Sequence, residues 1–258
     1  MEEGLKLKTI ILQLFVLFGA LGFIYLFLRL PDLVSMRKRE IVELKEVTIT
    51  IPEGINIRQI GEIFEKNGMF SKSEFVGAAE GEEGYLFPDT YRFYKYATPQ
   101  DAILKMKENF RHKATEEILF NGKVFPDAER VKNDIIIIAS ILEEEVKSTE
   151  DRKIVAGILW KRLAKGMGLN VDSALTYVLG KTSAELTESD LKFDSPYNTY
   201  RYRGLPPTPI SNPGIDAMMA AINPTATKYF YYLTGMDGKT YYAETLEGHA
   251  LNKQKYLR

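Results

Sequence analysis

The 258-residue chain contains no cysteine. Disulfides, thiolate-bound zinc, iron–sulfur clusters and a thiol nucleophile are therefore excluded, although an oxidising compartment is not. Histidine is nearly missing as well. His112 and His249 are the only two, too few for a three-histidine metal centre, and neither sits in an H-E-x-x-H helix. A charge excess of either sign is also lacking: 34 Lys plus Arg face 35 Asp plus Glu, for a net charge of −1. Such a balance provides no field for wrapping DNA or RNA, so no nucleic-acid partner is expected. There is no G-x-S-x-G elbow, and Gly180-Lys181-Thr182 is not a P-loop tail because position 175 is Leu. What is present is 45% hydrophobic, 12% aromatic and 27% charged residues, which is globular and long enough to bury a sizeable core.

Thr9 to Leu28 is an uncharged run of 20 residues rich in Leu, Ile, Phe and Val. As a helix it would reach roughly 30 Å, the hydrocarbon thickness of a bilayer, and a single transmembrane helix over 9–28 is expected. A cleaved signal peptide is the alternative, but Arg29-Leu30-Pro31-Asp32 offers no small-x-small cleavage site. Lys6 and Lys8 precede the run while Arg29, Arg37, Lys38 and Arg39 follow it. That count alone points the carboxy-terminal side to the cytoplasm, but the rule weakens for a long following domain and leaves topology open.

The expected order is a tail over 1–8, the span over 9–28, a charged stalk over 29–45, a small β-α-α module over 46–80 and a mixed α+β domain over 81–258. Val47-Thr48-Ile49-Thr50-Ile51 alternates as a half-buried strand, and Pro52-Glu53-Gly54 breaks it. Ile57, Ile60, Ile63 and Phe64 recur at helical spacing up to Asn67-Gly68, and Ser71 and Ser73 can start a second helix through Ala79. Glu83 to Tyr91 reads as a structured loop or bent strand. Pro99 to Leu119 reads as one or two polar helices, and Asp134 to Val146 as a helix apolar nearly all round, hence buried. Ser148-Thr149-Glu150-Asp151 matches a capping box for a helix that Gly166 stops. Leu169 to Ser173 is expected to be extended. Five prolines (196, 206, 207, 209 and 213) exclude a helix or a central strand over 194–214. Tyr229–Thr234 and Lys239–Ala243 are expected to form a hairpin around a four-residue loop, Gly235 to Gly238.

The chemistry-bearing candidate is the acidic end of the buried helix, Glu143-Glu144-Glu145. Glu143 follows Ala139 and Ile136 by four and seven residues and so extends an apolar stripe. Burial, neighbouring carboxylates and the negative helix end all push towards the protonated form, as a general acid requires. Lys147, four residues on, could oppose this, and a solvated acidic helix end is the alternative. In Tyr197-Asn198-Thr199-Tyr200, amide and aromatic groups in an irregular segment suit a hydroxyl-rich sugar, although an ordinary turn has the same composition. His112 reads as helix surface, His249 as a loop residue, and Trp160 as core or partner-facing.

Taken in order, these stretches resemble a known family. Glu83-Gly84-Tyr85-Leu86-Phe87-Pro88-Asp89-Thr90-Tyr91, Ala139-Ser140-Ile141-Leu142-Glu143-Glu144-Glu145, Gly166-Met167-Gly168-Leu169-Asn170-Val171-Asp172, Tyr197-Asn198-Thr199-Tyr200 and Gly204-Leu205-Pro206-Pro207 occur as in the MltG/YceG-like endolytic murein transglycosylases. The resemblance covers roughly 46 to 258. Asn170 stands where that family has glutamine, and Glu144 where lysine is common. The resemblance implies one amino-terminal membrane helix, a LysM-like module at 46–80 and an extracytoplasmic catalytic domain in the bacterial cytoplasmic membrane. It further implies Glu143 as the catalytic acid, Asn170, Asp172, Tyr197, Asn198 and Tyr200 as sugar-holding residues, and no cofactor or metal. Peptidoglycan glycan strands would be the substrate and wall synthases the partners. Two rivals remain: a hydrolytic glycosidase pairing Glu143 with Asp172 or Glu83, and a non-enzymatic wall-binding scaffold.

Overall fold

The computed structural model describes residues 16–29, 45–120 and 126–257. Residues 16–29 are helical (α1) and carry exposed apolar side chains such as Phe18, Phe23 and Phe27. The first part of the expected span, 9–15, and nearly all of the stalk lie outside the described residues. Among the described residues no helix is long and apolar enough to cross a membrane.

The chain divides into two units, Met1–Val47 with Phe93–Tyr96, and Thr48–Arg92 with Ala97–Arg258. In the first, the rings of Tyr94 and Tyr96 stack with centroids 5.4 Å apart. The second unit holds all the chemistry described below. Strand β1 (Glu46–Ile51) precedes α2 (Ile57–Lys66) and α3 (Lys72–Ala78), and β2 (Asp89–Tyr94) returns to pair with β1. Both helices start on full capping boxes, Asn56 with Gln59 and Ser71 with Glu74. Then follow α4 (Pro99–Lys113), α5 (Glu116–Phe120), α6 (Ala128–Glu145), α7 (Thr149–Ala164), α8 (Asp172–Leu179), α9 (Ile215–Ile222), the hairpin β3 (Tyr231–Thr234) and β4 (Thr240–Ala243), and α10 (Leu246–Tyr256). The architecture is the expected mixed α+β.

Helix α6 is the axis of the core. Every residue from Ile135 to Leu142 is buried, and α7, α8 and α9 all pack on it. Its six large aliphatic side chains contribute on the order of 10 kcal/mol by leaving water, before the entropy of ordering them is subtracted. With its sides thus covered, the chemistry is carried by its carboxy-terminal end.

Several local expectations are corrected. Helix α6 starts at Ala128, six residues early, because Asp127 caps it by accepting from Arg130 N. Ser148 caps α7 by accepting from Asp151 N, and the Asp151 carboxylate bonds back to Ser148 while also accepting from the Tyr242 hydroxyl. Extended chain ends at Val171, and α8 already includes Asp172 and Ser173. The hairpin register, Thr234 opposite Thr240, leaves five residues in the loop, 235–239. His249 lies in α10 rather than in a loop.

Candidate active site

Successive residues of an α-helix are rotated by about 100°, so three adjacent glutamates at the end of α6 face three different neighbours. Glu143 turns inward: its side chain is 7% exposed. One carboxylate oxygen accepts from Gly214 N at 2.9 Å, and the other pairs with the guanidinium of Arg152 on α7. Arg152 also donates to Asp216 at 2.6 Å and caps the end of α6 through the Val146 carbonyl at 3.1 Å. The opposing cation is therefore Arg152 and not Lys147, which lies beyond the end of α6. Burial pushes the Glu143 carboxyl above its ordinary value, and the charges of Glu53 and Asp216 add to that. The Gly214 N–H and Arg152 pull the other way without prevailing.

Two glycines let the backbone close on this acid. A side chain at Gly214 would meet Glu53 Cγ at 2.7 Å and Glu143 at 3.6 Å. Gly54 has φ +80°, and a Cβ there would stand 3.0 Å from Glu144 Oε1 and 3.3 Å from Glu143 Cγ. Ser140, one turn below Glu143, anchors the incoming loop. Its hydroxyl accepts from Ile210 N at 3.1 Å, and its carbonyl accepts from Ser211 Oγ at 3.1 Å. Buried Asn212 then ties three segments together. Its amide oxygen accepts from Gly84 N and Leu86 N, its amide nitrogen donates to Ile55 O and Glu83, and its carbonyl accepts from Gly54 N.

Glu144 faces a cleft of about 620 Å³ together with Gly54, Ser173 and Thr176. Loss of hydration and the flanking carboxylates of Glu143 and Glu145 push it up to about 7. Glu145 points to a third side, accepting from Ser173 Oγ at 2.8 Å and Tyr232 OH at 3.1 Å.

The chain matches the family model of the YceG-like family over residues 30–255. It belongs to that family. It is similar to an endolytic murein transglycosylase of Bacillus subtilis (strain 168), 30% identical over 237 residues, with 81% of this chain and 65% of that protein covered. It is also similar to one of Streptococcus pneumoniae (strain R6), 29% identical over 249 residues, with 81% of this chain and 44% of that protein covered. The chain thus spans under two thirds of the length of these relatives. A crystal structure of a YceG-like protein from Listeria monocytogenes superposes with a TM-score of 0.68 at 29% identity, covering 85% of this chain and 80% of that one.

Within this YceG-like chain the sequence candidates separate into two groups. Asn170, Asp172 and Tyr200 come together: Asn170 N donates to Thr199 O at 3.4 Å, and the Tyr200 hydroxyl donates to Asp172 at 2.6 Å. Asn170 is exposed with φ 49°. They adjoin Ser173, the partner of Glu145. Tyr197 goes elsewhere, with its hydroxyl on Thr208 and its ring 5.4 Å from that of Tyr177 on α8. Asn198 is fully buried. Its amide donates to Leu191 O and Phe193 O and accepts from Tyr200 N, so it fastens the loop and has no face left for a ligand. Glu83, named as a second carboxylate, is also internal. It accepts from Ile57 N, Tyr177 OH and Asn212, and burial still pushes it up to about 7. Arg152, Gly214, Glu53 and Asp216 were not singled out in the sequence. A capping serine before an arginine on a helix gave a faint signal for the first, and Pro-Gly before an apolar run for the second.

Proposed function

We propose that this protein is a membrane-anchored endolytic lytic transglycosylase that cuts the bond between N-acetylmuramic acid and N-acetylglucosamine without water. The observation that carries this reading is Glu143: a shielded, proton-favouring carboxyl at the end of the core helix, held between a backbone N–H and an arginine, in a chain whose relatives are named endolytic murein transglycosylases. Glu143 protonates the glycosidic oxygen, and the bond from that oxygen to the muramic acid anomeric carbon breaks. The carboxylate left behind finds Gly214 N–H and Arg152 already in place, so its charge is stabilised without reorganisation. It then takes the proton of the same sugar's 6-hydroxyl as that oxygen attacks the anomeric carbon. A 1,6-anhydro end results, and Glu143 is again protonated. One carboxylate suffices because the nucleophile belongs to the substrate, whereas a hydrolytic glycosidase needs two. Asn170, Asp172 and Tyr200 hold the sugars near this end of α6. The hydrophobic run at 9–28 anchors the chain with the catalytic domain outside the cytoplasmic membrane, 46–80 acts as a LysM-like module, and wall synthases are the natural partners.

The presence of Glu53 and Asp216 around Glu143 favours one alternative, a hydrolytic muramidase. Digestion of purified sacculi separates the two readings, since hydrolysis gives a reducing end heavier by one water. Glu143→Gln should abolish anhydro-muropeptides while leaving the melting temperature near that of the parent. Undiminished release of anhydro ends by that variant would remove Glu143 from the role.

A further inference from the structure

We propose that Glu53, carried by the turn between β1 and α2, acts on Glu143 as a positioning residue, and that the amino-terminal segment 46–80 thereby forms a working wall of the catalytic site. This role rests on Glu143 being the acid of the reading above, and it names a residue outside α6 that governs the acid's proton.

The backbone builds the turn onto the acid. Gly54 N donates to Asn212 O at 3.0 Å, and Asn212 N donates to Ile55 O at 3.0 Å. This reciprocal pair joins the turn to the loop whose Gly214 N–H serves Glu143. The clamp favours a glycine, because Gly54 sits at φ +80°. A Cβ there would stand 3.3 Å from Glu143 Cγ, so the chain passes against the stem of the acid. Farther along the same segment, Arg58 donates to Tyr177 O at 2.9 Å and adds an attachment to α8.

Glu53 is thereby brought over Gly214. Its Cδ and Glu143 Oε2 each lie 3.6 Å from one point, the position a Gly214 Cβ would take, so the two carboxylates are at most about 7 Å apart. The Glu143 side chain is 7% exposed, whereas Glu53 is open to solvent. Among the described residues no hydrogen bond or ion pair reaches the Glu53 carboxylate, so its charge is not neutralised locally.

The other charged groups facing Glu143 are Arg152 of α7, Asp216 of α9 and Glu144 of its own helix. Burial comes first in favouring the protonated acid; Glu53 and Asp216 add to it, while the Gly214 N–H and Arg152 oppose it. Asp216 also binds Arg152 at 2.6 Å, so it holds the opposing cation in place as well as repelling the carboxylate. Glu53 makes no such bond. It is a like charge outside the desolvated pocket, and its effect on Glu143 is purely to keep the proton on.

The test uses the full-length chain in detergent and counts every new glycan chain end released from purified sacculi across pH, anhydro and reducing alike. Glu53→Gln removes the like charge and keeps the shape. Glu143 should then lose its proton more easily, so the falling limb of the rate should move to lower pH. The shift should be about half a pH unit at the dielectric of water, and more at that of a dry site. Glu53→Lys should move the limb about twice as far in the same direction, and Glu53→Asp should keep it near the parent's. Because the side chain is exposed and unbonded, the melting temperature should change little in all three. A limb that stays in place or moves to higher pH in Glu53→Gln, or one that moves no further in Glu53→Lys, would overturn the proposal. So would a folded Glu53→Gln that releases no ends at any pH, or a collapse of its melting temperature, which would make the residue structural. Reducing ends in place of anhydro ends would sink the lytic reading alone, because the limb still reports on Glu53.

Discussion

Arg152→Met keeps the aliphatic stem of the arginine and deletes its charge, leaving Glu143 and Asp216 without their common cation. The arginine side chain is 13% exposed and Glu143 7%, but Asp216 is 40% exposed. Removing one partner of a buried ion pair costs about 3–5 kcal/mol, and because Asp216 recovers water the lower end applies, about 3 kcal/mol. Function should suffer separately. In the proposed mechanism the guanidinium stabilises the carboxylate formed when Glu143 gives up its proton, and loss of one preorganised stabiliser of developing charge costs roughly a hundredfold in turnover. The pH profile gives the sign. In the lytic mechanism proposed above, turnover begins from protonated Glu143, so the rate falls as pH rises through its pKa. Deleting a nearby cation raises that pKa further, so the falling limb must move to higher pH even as the peak drops. The assay is release of anhydro-muropeptides from sacculi across pH, with Arg152→Lys as a partial rescue that restores charge without the two-pronged geometry. A limb that stays in place or moves to lower pH in the methionine variant would refute this account of Arg152.

Glu83 should make the fold acid-favoured. Its carboxyl stands at about 7 when folded against 4.5 when free, so its contribution is complete below pH 4.5 and lost as pH rises through 7, about 3 kcal/mol by pH 8. Melting temperature should therefore fall between pH 5 and pH 8, and Glu83→Gln should flatten much of that fall; an equally steep fall in the variant would assign it to other groups. Gly214→Ala places a Cβ 2.7 Å from Glu53 Cγ and pulls its N–H off Glu143, so turnover should drop by about tenfold or more with a smaller change in stability; unchanged turnover would show that this N–H is not needed. Gly157→Ala would drive a Cβ to 2.1 Å from the Thr225 carbonyl and should cost about 3 kcal/mol in denaturant titration; a cost under about 1 kcal/mol would show that the segment at Thr225 is free to move.

Much of the framework could be read from local chemistry. Helices α2 and α3 carry their own start signals, and α6 betrays itself by five isoleucines that leave almost no polar face. Of the helices missed, two begin silently and one lacks an apolar face. Neither Val171 before α8 nor Gly214 before α9 makes a side-chain cap, and α10 buries none of its residues, so its pattern has no apolar stripe to detect. The site divides in the same way. Glu143 was legible because it prolongs an apolar run, a property of its own helix. Arg152, Gly214 and Glu53 reach it from other segments by tertiary packing, which no local pattern records. Asn198 shows the converse: an amide among prolines and tyrosines reads as a ligand contact, yet the irregular chain around it has carbonyls to satisfy, and those took the amide first.

Asn212 sets an order on the maturation of the molecule. Its amide joins Ile55, 157 positions earlier, to Glu83 and to the loop that reaches Glu143. A closure so distant in the chain comes late, after the local helices have formed. Chains cut short before residue 212 should display the glutamate without its cage, and reporters of sacculus cleavage during synthesis should stay silent until that amide has been made. A polypeptide still being produced would thus carry its acid with the surrounding donors unassembled.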